Sequence, residues 1–121
     1  RRDPQTEAII AAAIEVHRIL GPRFLERVYE EALSYELRAR NITFERQRKI
    51  DIWYKHCVIR GHRIDLIVHG EVVVEIKAVE ALLPIHKAQL MTYMRLSGMR
   101  VGLLINFNVT KLKNGIKRYV L

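Results

Sequence analysis

RIDLIVHGEVVVEIKAV, Arg63 to Val79, is the stretch on which the fold turns. Two near-continuous apolar runs, Leu66 to Val68 and Val72 to Val74, flank His69-Gly70. Such runs suit strands covered on both faces, and His69-Gly70 reads as the turn between them. Charges interrupt the pattern at Asp65, Glu75 and Lys77. Residues two apart on a strand point the same way, so Glu75 and Lys77 share a face and Val74 and Ile76 take the other.

Asp65 joins the Glu75 face only under a parity condition. Paired residue numbers in an antiparallel hairpin have a constant sum, and Asp65 and Glu75 share a face only when that sum is even. A two-residue His69-Gly70 turn gives 139, the wrong parity. A three-residue loop Val68-His69-Gly70, with Gly70 left-handed in a bulge, gives 138, and that loop is the expectation.

Upstream, TFERQRKIDIWY (Thr43 to Tyr54) is rich in β formers, and Val58 onward begins the next strand. Before these, the spacing predicts two helices. The first covers about Pro4 to Leu20, capped by Asp3 and stopped by Gly21-Pro22. Its apolar positions are Ile9, Ile10, Ala13, Ile14, Val16 and Leu20. The second covers about Phe24 to Arg40, with Leu25, Val28, Ala32 and Tyr35 as its stripe, widened by Tyr29, Leu33 and Leu37. Asn41 is its expected stop.

Downstream, a third helix runs from Pro84 to Ser97-Gly98, with Ile85, Ala88, Leu90, Met94 and Leu96 apolar. RVGLLINF (Arg100 to Phe107) is a strand, and KLKNGIKRYVL a short strand or arm. The order α-α-β-β-β-α-β-β implies a mixed central β-sheet flanked by helices, an α+β class.

The 121 residues suit one domain, 1–121, and half of them are apolar, too many for a disordered tail. A formal charge of +8 favours polyanion partners, nucleic acid first. Cys57, the lone cysteine, rules out an intrachain disulfide and fits a cytoplasmic protein. The opening RRDPQTE has no apolar signal core, and no run reaches membrane-spanning length, so no membrane partner is expected. A chain opening on Arg1 rather than Met suggests that residues precede it.

Two carboxylates and a lysine on one sheet face can bind a divalent cation and act on phosphodiesters. Carboxylate oxygens suit Mg²⁺ or Mn²⁺, and Lys77 could orient water or offset developing negative charge. The alternative is a solvated face with Glu75 and Lys77 as exposed alternating charges. Context weighs against it: these charges interrupt strands that look central, where a lone charge is costly.

At these residues the chain resembles the PD-(D/E)XK nuclease superfamily, and within it the GxxExxY family. The resemblance rests on GPRFLERVYEEAL (Gly21 to Leu33), RIDLIV (Arg63 to Val68), VVVEIKAVEAL (Val72 to Leu82), HKAQLMTYMR (His86 to Arg95) and VGLLINF (Val101 to Phe107). It implies a restriction-endonuclease-like αβββαβ core and a metal-dependent nuclease. Asp65 and Glu75 would ligate metal and Lys77 catalyse, with Glu26 a further ligand. Gln89 and Tyr93 look like the Gln-x-x-x-Tyr helix of the exonuclease branch, where the Gln helps order the active site. One departure stands out: Arg23 occupies the position where the family name implies Gly. It could contact a phosphate directly.

The remaining expectations are plainer. Glu26 and Glu30 share a helix face, with a solvated edge beside Arg23 and Arg27 as the alternative. Arg63 could bind a phosphate or pair with Glu75. Lys111 and Lys113 belong to a basic stretch that is either a solvated edge or a backbone-binding arm. Trp53 and Tyr54 could stack on bases, but a core role is expected. His86 could serve as an acid or phosphate contact, though a structural histidine is commoner. DNA is favoured over RNA as substrate. A homodimer or partner subunit is envisaged, so that a small domain can grip a duplex. The competing functions are a non-catalytic nucleic-acid-binding module and a protein-interaction subunit.

Overall fold

The computed structural model describes residues 3–121; Arg1 and Arg2 lie outside the described residues. Helix α1 spans Pro4–Leu20 and α2 spans Glu26–Ala39. Strands β1 (Phe44–Tyr54), β2 (Cys57–Val68) and β3 (Val72–Lys77) follow, then α3 (Pro84–Ser97), β4 (Val101–Asn106), a 3₁₀ turn (Leu112–Gly115) and β5 (Ile116–Val120). The five strands form one sheet in sequence order. All neighbours pair antiparallel except β3 and β4, which run parallel across the α3 connection. The architecture is the mixed, helix-flanked sheet that the apolar runs imply.

The helices lie on both faces. Leu66, Val68, Val72, Val74 and Ile76 pack with Ile9, Ala13, Tyr29, Leu33 and Leu37 of α1 and α2. Ile64, Ile67 and Val73 pack with Leu90, Tyr93 and Met94 of α3. Coverage on both sides explains why β2 and β3 read as continuous apolar runs.

Punctuation falls where local chemistry sets it. The Asp3 carboxylate accepts from the Thr6 N–H at 2.8 Å and caps α1. Gly21 ends α1 at φ 68, ψ −172, an extended mirror-image conformation open to glycine rather than the left-handed cap the sequence suggests. Gly98 closes α3 in the left-handed conformation at φ 72, ψ 21.

Seven apolar residues read as core are exposed instead. In α2 the buried stripe is Tyr29, Leu33 and Leu37, while Leu25 and Tyr35 are 75% and 67% exposed. Both stripes have helical spacing. The Tyr29 one wins because its ring stacks on Phe107 at 4.5 Å and its hydroxyl donates to the Gly21 carbonyl. In α1 and α3, Ile14, Ile85 and Leu96 face solvent, and Tyr93 joins the core instead. Trp53 and Tyr54, expected in the core, are exposed, because the end of the β1–β2 hairpin extends past the sheet.

The decisive register is even. Leu66 pairs with Val74, Ile67 with Val73 and Val68 with Val72, a sum of 140. The loop is His69-Gly70-Glu71, one residue later than the expected frame. His69 and Gly70 both take positive φ (56 and 63) and the Glu71 N–H donates to the Val68 carbonyl at 3.0 Å, so a tight turn closes the loop.

Candidate active site

The β2–β3 ladder stops at Leu66 and Val74. Beyond it, two carboxylates take over the bridging. The Asp65 N–H donates to Glu75 Oε2 at 2.9 Å, and the Ile76 N–H donates to Asp65 Oδ2 at 2.8 Å. This reciprocal pair replaces strand-to-strand bonds and fixes both side chains in a seam of the sheet. The even register puts the two acids side by side.

Two irregularities shape the seam. Leu66 and Val68 face α1 and α2, whereas Ile64 and Ile67 face α3. Strict alternation would set Ile64 with Leu66, so the phase slips at Asp65. Opposite it, Gln47 adopts φ 52 in the middle of β1, a left-handed conformation that costs a non-glycine residue about 1–2 kcal/mol. Its Nε2 bridges Glu30 Oε1 at 2.8 Å and Asp65 Oδ1 at 3.3 Å. The sequence reading missed Gln47. Its only sequence signal was a polar residue in a strand.

Charge in the seam is poorly neutralised. Burial pushes Glu75 up to about 8, and the Asp65 charge beside it pushes the same way. Burial also raises Asp65, against the pull of the Ile76 N–H and of Lys77. Among the described residues neither acid has an ion pair within 4 Å. Lys77 lies on the Glu75 face as strand parity requires. Its Nζ donates to Gln89 Oε1 at 3.3 Å, and Gln89 Nε2 donates to the Tyr93 hydroxyl at 3.3 Å. That hydroxyl meets His62 Nδ1 at 3.3 Å. Gln89 and Tyr93, one helical turn apart, thus brace Lys77 from α3, and His62 extends the chain unannounced by the sequence.

Glu26 heads α2 and is exposed. Its charge raises both Asp65 and Glu75, the weakest of the influences on each. Yet among the described residues no three His, Cys, Asp or Glu side chains form a ready metal cluster. The structure therefore assembles two acids and a lysine, with the third acid apart. Glu30 is neither a solvated edge nor a member of the pair: it is buried, and Arg46 Nε and Nη2 donate to its Oε2 at 3.2 and 3.1 Å.

Arg23 is exposed at φ 82, a backbone conformation suited to the expected glycine. Its N–H donates to Asn108 Oδ1 at 3.1 Å, tying the start of α2 to the segment after β4. Asn106 is buried and brackets Val79, accepting its N–H at 3.0 Å and donating to its carbonyl at 2.9 Å, which pins the chain leaving Lys77. Arg63 does not share the Asp65 face; the phase slip turns it away, and it pairs with Lys49 across the ribbon. Lys111 and Lys113 lie beside β5, the opposite sheet edge from β1, and Lys113 lines a cleft with Ile10, Ile14, Ile116 and Arg118. The structure does not bring them to the carboxylates. His86 is structural: its Nδ1 accepts from the Leu83 N–H at 2.9 Å and caps α3.

A family model described as the PD-(D/E)XK nuclease superfamily matches residues 3–119. The chain belongs to the PD-(D/E)XK nuclease superfamily. Superfamily members are usually nucleases and generally use divalent metals such as Mg²⁺ or Mn²⁺. No curated protein and no solved structure matches the chain. No helix among the described residues is long and apolar enough to cross a membrane.

The seam suits such a cation. A buried carboxylate, Glu75, and a half-buried one, Asp65, stand together with hard oxygen donors, and burial and mutual repulsion favour anything that neutralises them. One oxygen of each is committed to a backbone N–H, which orients the other.

Proposed function

We propose that this PD-(D/E)XK superfamily chain is a Mg²⁺- or Mn²⁺-dependent nuclease domain that hydrolyses phosphodiester bonds, in DNA ahead of RNA. The segments around Glu26, Tyr29 and Glu75 support placing it in the GxxExxY branch. The observation that carries the reading is the reciprocal Asp65–Glu75 pair in an under-neutralised seam, with Lys77 on the same face.

Asp65 and Glu75 would hold the cation, with Glu26 at the head of α2 as a further ligand. When bound, the cation supplies Lewis-acid polarisation of the phosphate and a water of lowered pKa. Lys77 positions the attacking water and offsets charge developing on the phosphate. Gln89 holds the Lys77 ammonium at its Nζ, and Tyr93 holds Gln89. Gln47 fixes Asp65 from the other side.

The test is hydrolysis of single-stranded, duplex and branched DNA and of RNA with Mg²⁺ or Mn²⁺. Wild type should cleave at least one of them, and Lys77→Ala should cut the rate about 100-fold or more. Cleavage by neither protein, or by both equally, sinks the reading. A second reading, a non-catalytic nucleic-acid-binding module, draws on Glu26 standing apart from the pair. Metal-independent binding with a steep salt dependence and no turnover would select it.

A further inference from the structure

The β1–β2 hairpin outgrows the sheet. β2 pairs with β3 through Leu66, Ile67 and Val68 alone, so Arg48 to Ile64 leave as a two-stranded ribbon. One side of the ribbon, with Ile50, Ile52 and Ile64, packs on α3. The other side is open. Alternation puts Lys49, Asp51 and Trp53 on it, and the Lys49–Arg63 pairing adds Arg63.

Two observations on that side point to one kind of occupant. First, a cleft of about 390 Å³ is lined by Lys49, Ile50, Asp51, Arg60, Gly61, His62 and Arg63. Arg48 to Ile64 carry five Lys and Arg against one Asp, so this arm holds half of the chain's surplus of +8. Second, the arm ends in uncovered aromatics: Trp53 is 66% exposed and Tyr54 62%, with the Lys55 ammonium 5.4 Å from the Tyr54 ring centre. A folded chain does not gain from leaving an indole in water at the end of a marginal two-stranded ribbon. Cations along a groove with an aromatic face at its end are what a single nucleic-acid strand meets in its binding proteins: phosphates on the cations, an unpaired base on the ring. A second copy of this chain would bring like charge to the same surface.

We propose that the β1–β2 ribbon is a grip for single-stranded nucleic acid, in which Trp53 stacks on an unpaired base while Lys49, Arg60 and Arg63 hold the adjoining phosphates. Its occupant rests on the nuclease reading above. Arg63 is two residues from Asp65 on the same strand, about 7 Å of chain, but on the other face, so the grip anchors a strand beside the carboxylates rather than over them. The arm selects frayed, gapped or unpaired substrates over intact duplex.

Trp53 is the only tryptophan, so its emission reports directly on the ribbon. Twelve-residue oligodeoxynucleotides and oligoribonucleotides, single-stranded and as blunt duplexes, are titrated in EDTA, where cleavage is blocked. Saturable quenching by single strands, with at least 10-fold weaker binding of duplex, supports the grip; the DNA and RNA arms then show which sugar it favours. By anisotropy of a labelled oligonucleotide, Trp53→Ala should weaken binding about 10-fold or more and Trp53→Phe should restore most of it. Arg63→Ala should lower the slope of log affinity against log salt by about 0.7. Unchanged emission with every oligonucleotide, equal affinity of Trp53→Ala and wild type, or an emission shift driven by protein concentration alone with dimers in sedimentation would overturn it. Hydrolysis of bis(p-nitrophenyl) phosphate, too small to reach the arm, is measured alongside. Its loss in Lys77→Ala but not Trp53→Ala supports the catalytic reading on its own, so either proposal can fail without the other.

Discussion

Glu30 and Glu75 are both buried glutamates, their residues 8% and 4% exposed, and Gln47 and Asp65 link them. Their charges are handled in opposite ways. Glu30 is held by the Arg46 guanidinium and by Gln47, and Arg46 reaches on to Glu31 at 3.1 Å. Burial pushes Glu30 up, and Arg46 and Gln47 offset only part of the rise. Glu75 has a backbone N–H and another acid as its nearest company, and it is pushed to about 8. The difference separates an acid that the fold uses from an acid that the fold tolerates. Tolerated charge is the better marker of a site, because a structural role would have been given a cation.

Replacing each acid by its amide tests that contrast, and the largest effect belongs to the seam. Glu75→Gln should lower hydrolysis about 1,000-fold while leaving metal-free stability at pH 8 unchanged or higher, because the amide removes a charge the seam does not neutralise. Thermal melts beside a cleavage assay read both. A Glu75→Gln protein that is active, or that melts well below wild type, would erase the distinction.

The second test uses pH. Glu75 titrates near 8 in the fold and near 4.5 when unfolded, so the folded state binds the extra proton between those values. Stability from this group is fully present below about 4.5 and is lost as pH rises through 8. The loss is at most about 1.4 kcal/mol per pH unit within the window. Melting in EDTA from pH 5 to 8.5 should show that decline, and Mg²⁺ or Mn²⁺ should remove most of it, with protons released on binding. A flat profile, or no effect of the cations, would count against the seam as their site.

The smallest effect is at the paired acid. Glu30→Gln should cost about 1–2 kcal/mol, allowing for the partial exposure of Arg46, and should reduce hydrolysis less than 10-fold. Denaturant unfolding measures the first. A larger loss of activity than at Glu75 would reverse the comparison.

Much of this was legible in the sequence for a local reason. The strands around His69-Gly70 follow from apolar runs, the helix limits from Asp3, Pro84 and Gly98, and the shared face of Glu75 and Lys77 from the two-residue period. What escaped depends on contacts between distant residues. Gln47 meets Glu30 and Asp65 across 17 and 18 positions, and nothing in FERQRKI announces a left-handed residue. The two apolar stripes of α2 are equally periodic, and only Phe107, 78 residues on from Tyr29, decides between them. Trp53 and Tyr54 read as β formers; their exposure follows from where β3 ends, which their own segment does not encode.

The carboxylates' place in the sheet has a last consequence. Asp65 and Glu75 stand in for rungs of the ladder, so whatever draws on their oxygens also tugs on the amides of residues 65 and 76. Those two protons, each held by a carboxylate rather than by a neighbouring strand, become native gauges of occupancy: their exchange with solvent deuterium would register a visitor before any bond is cut.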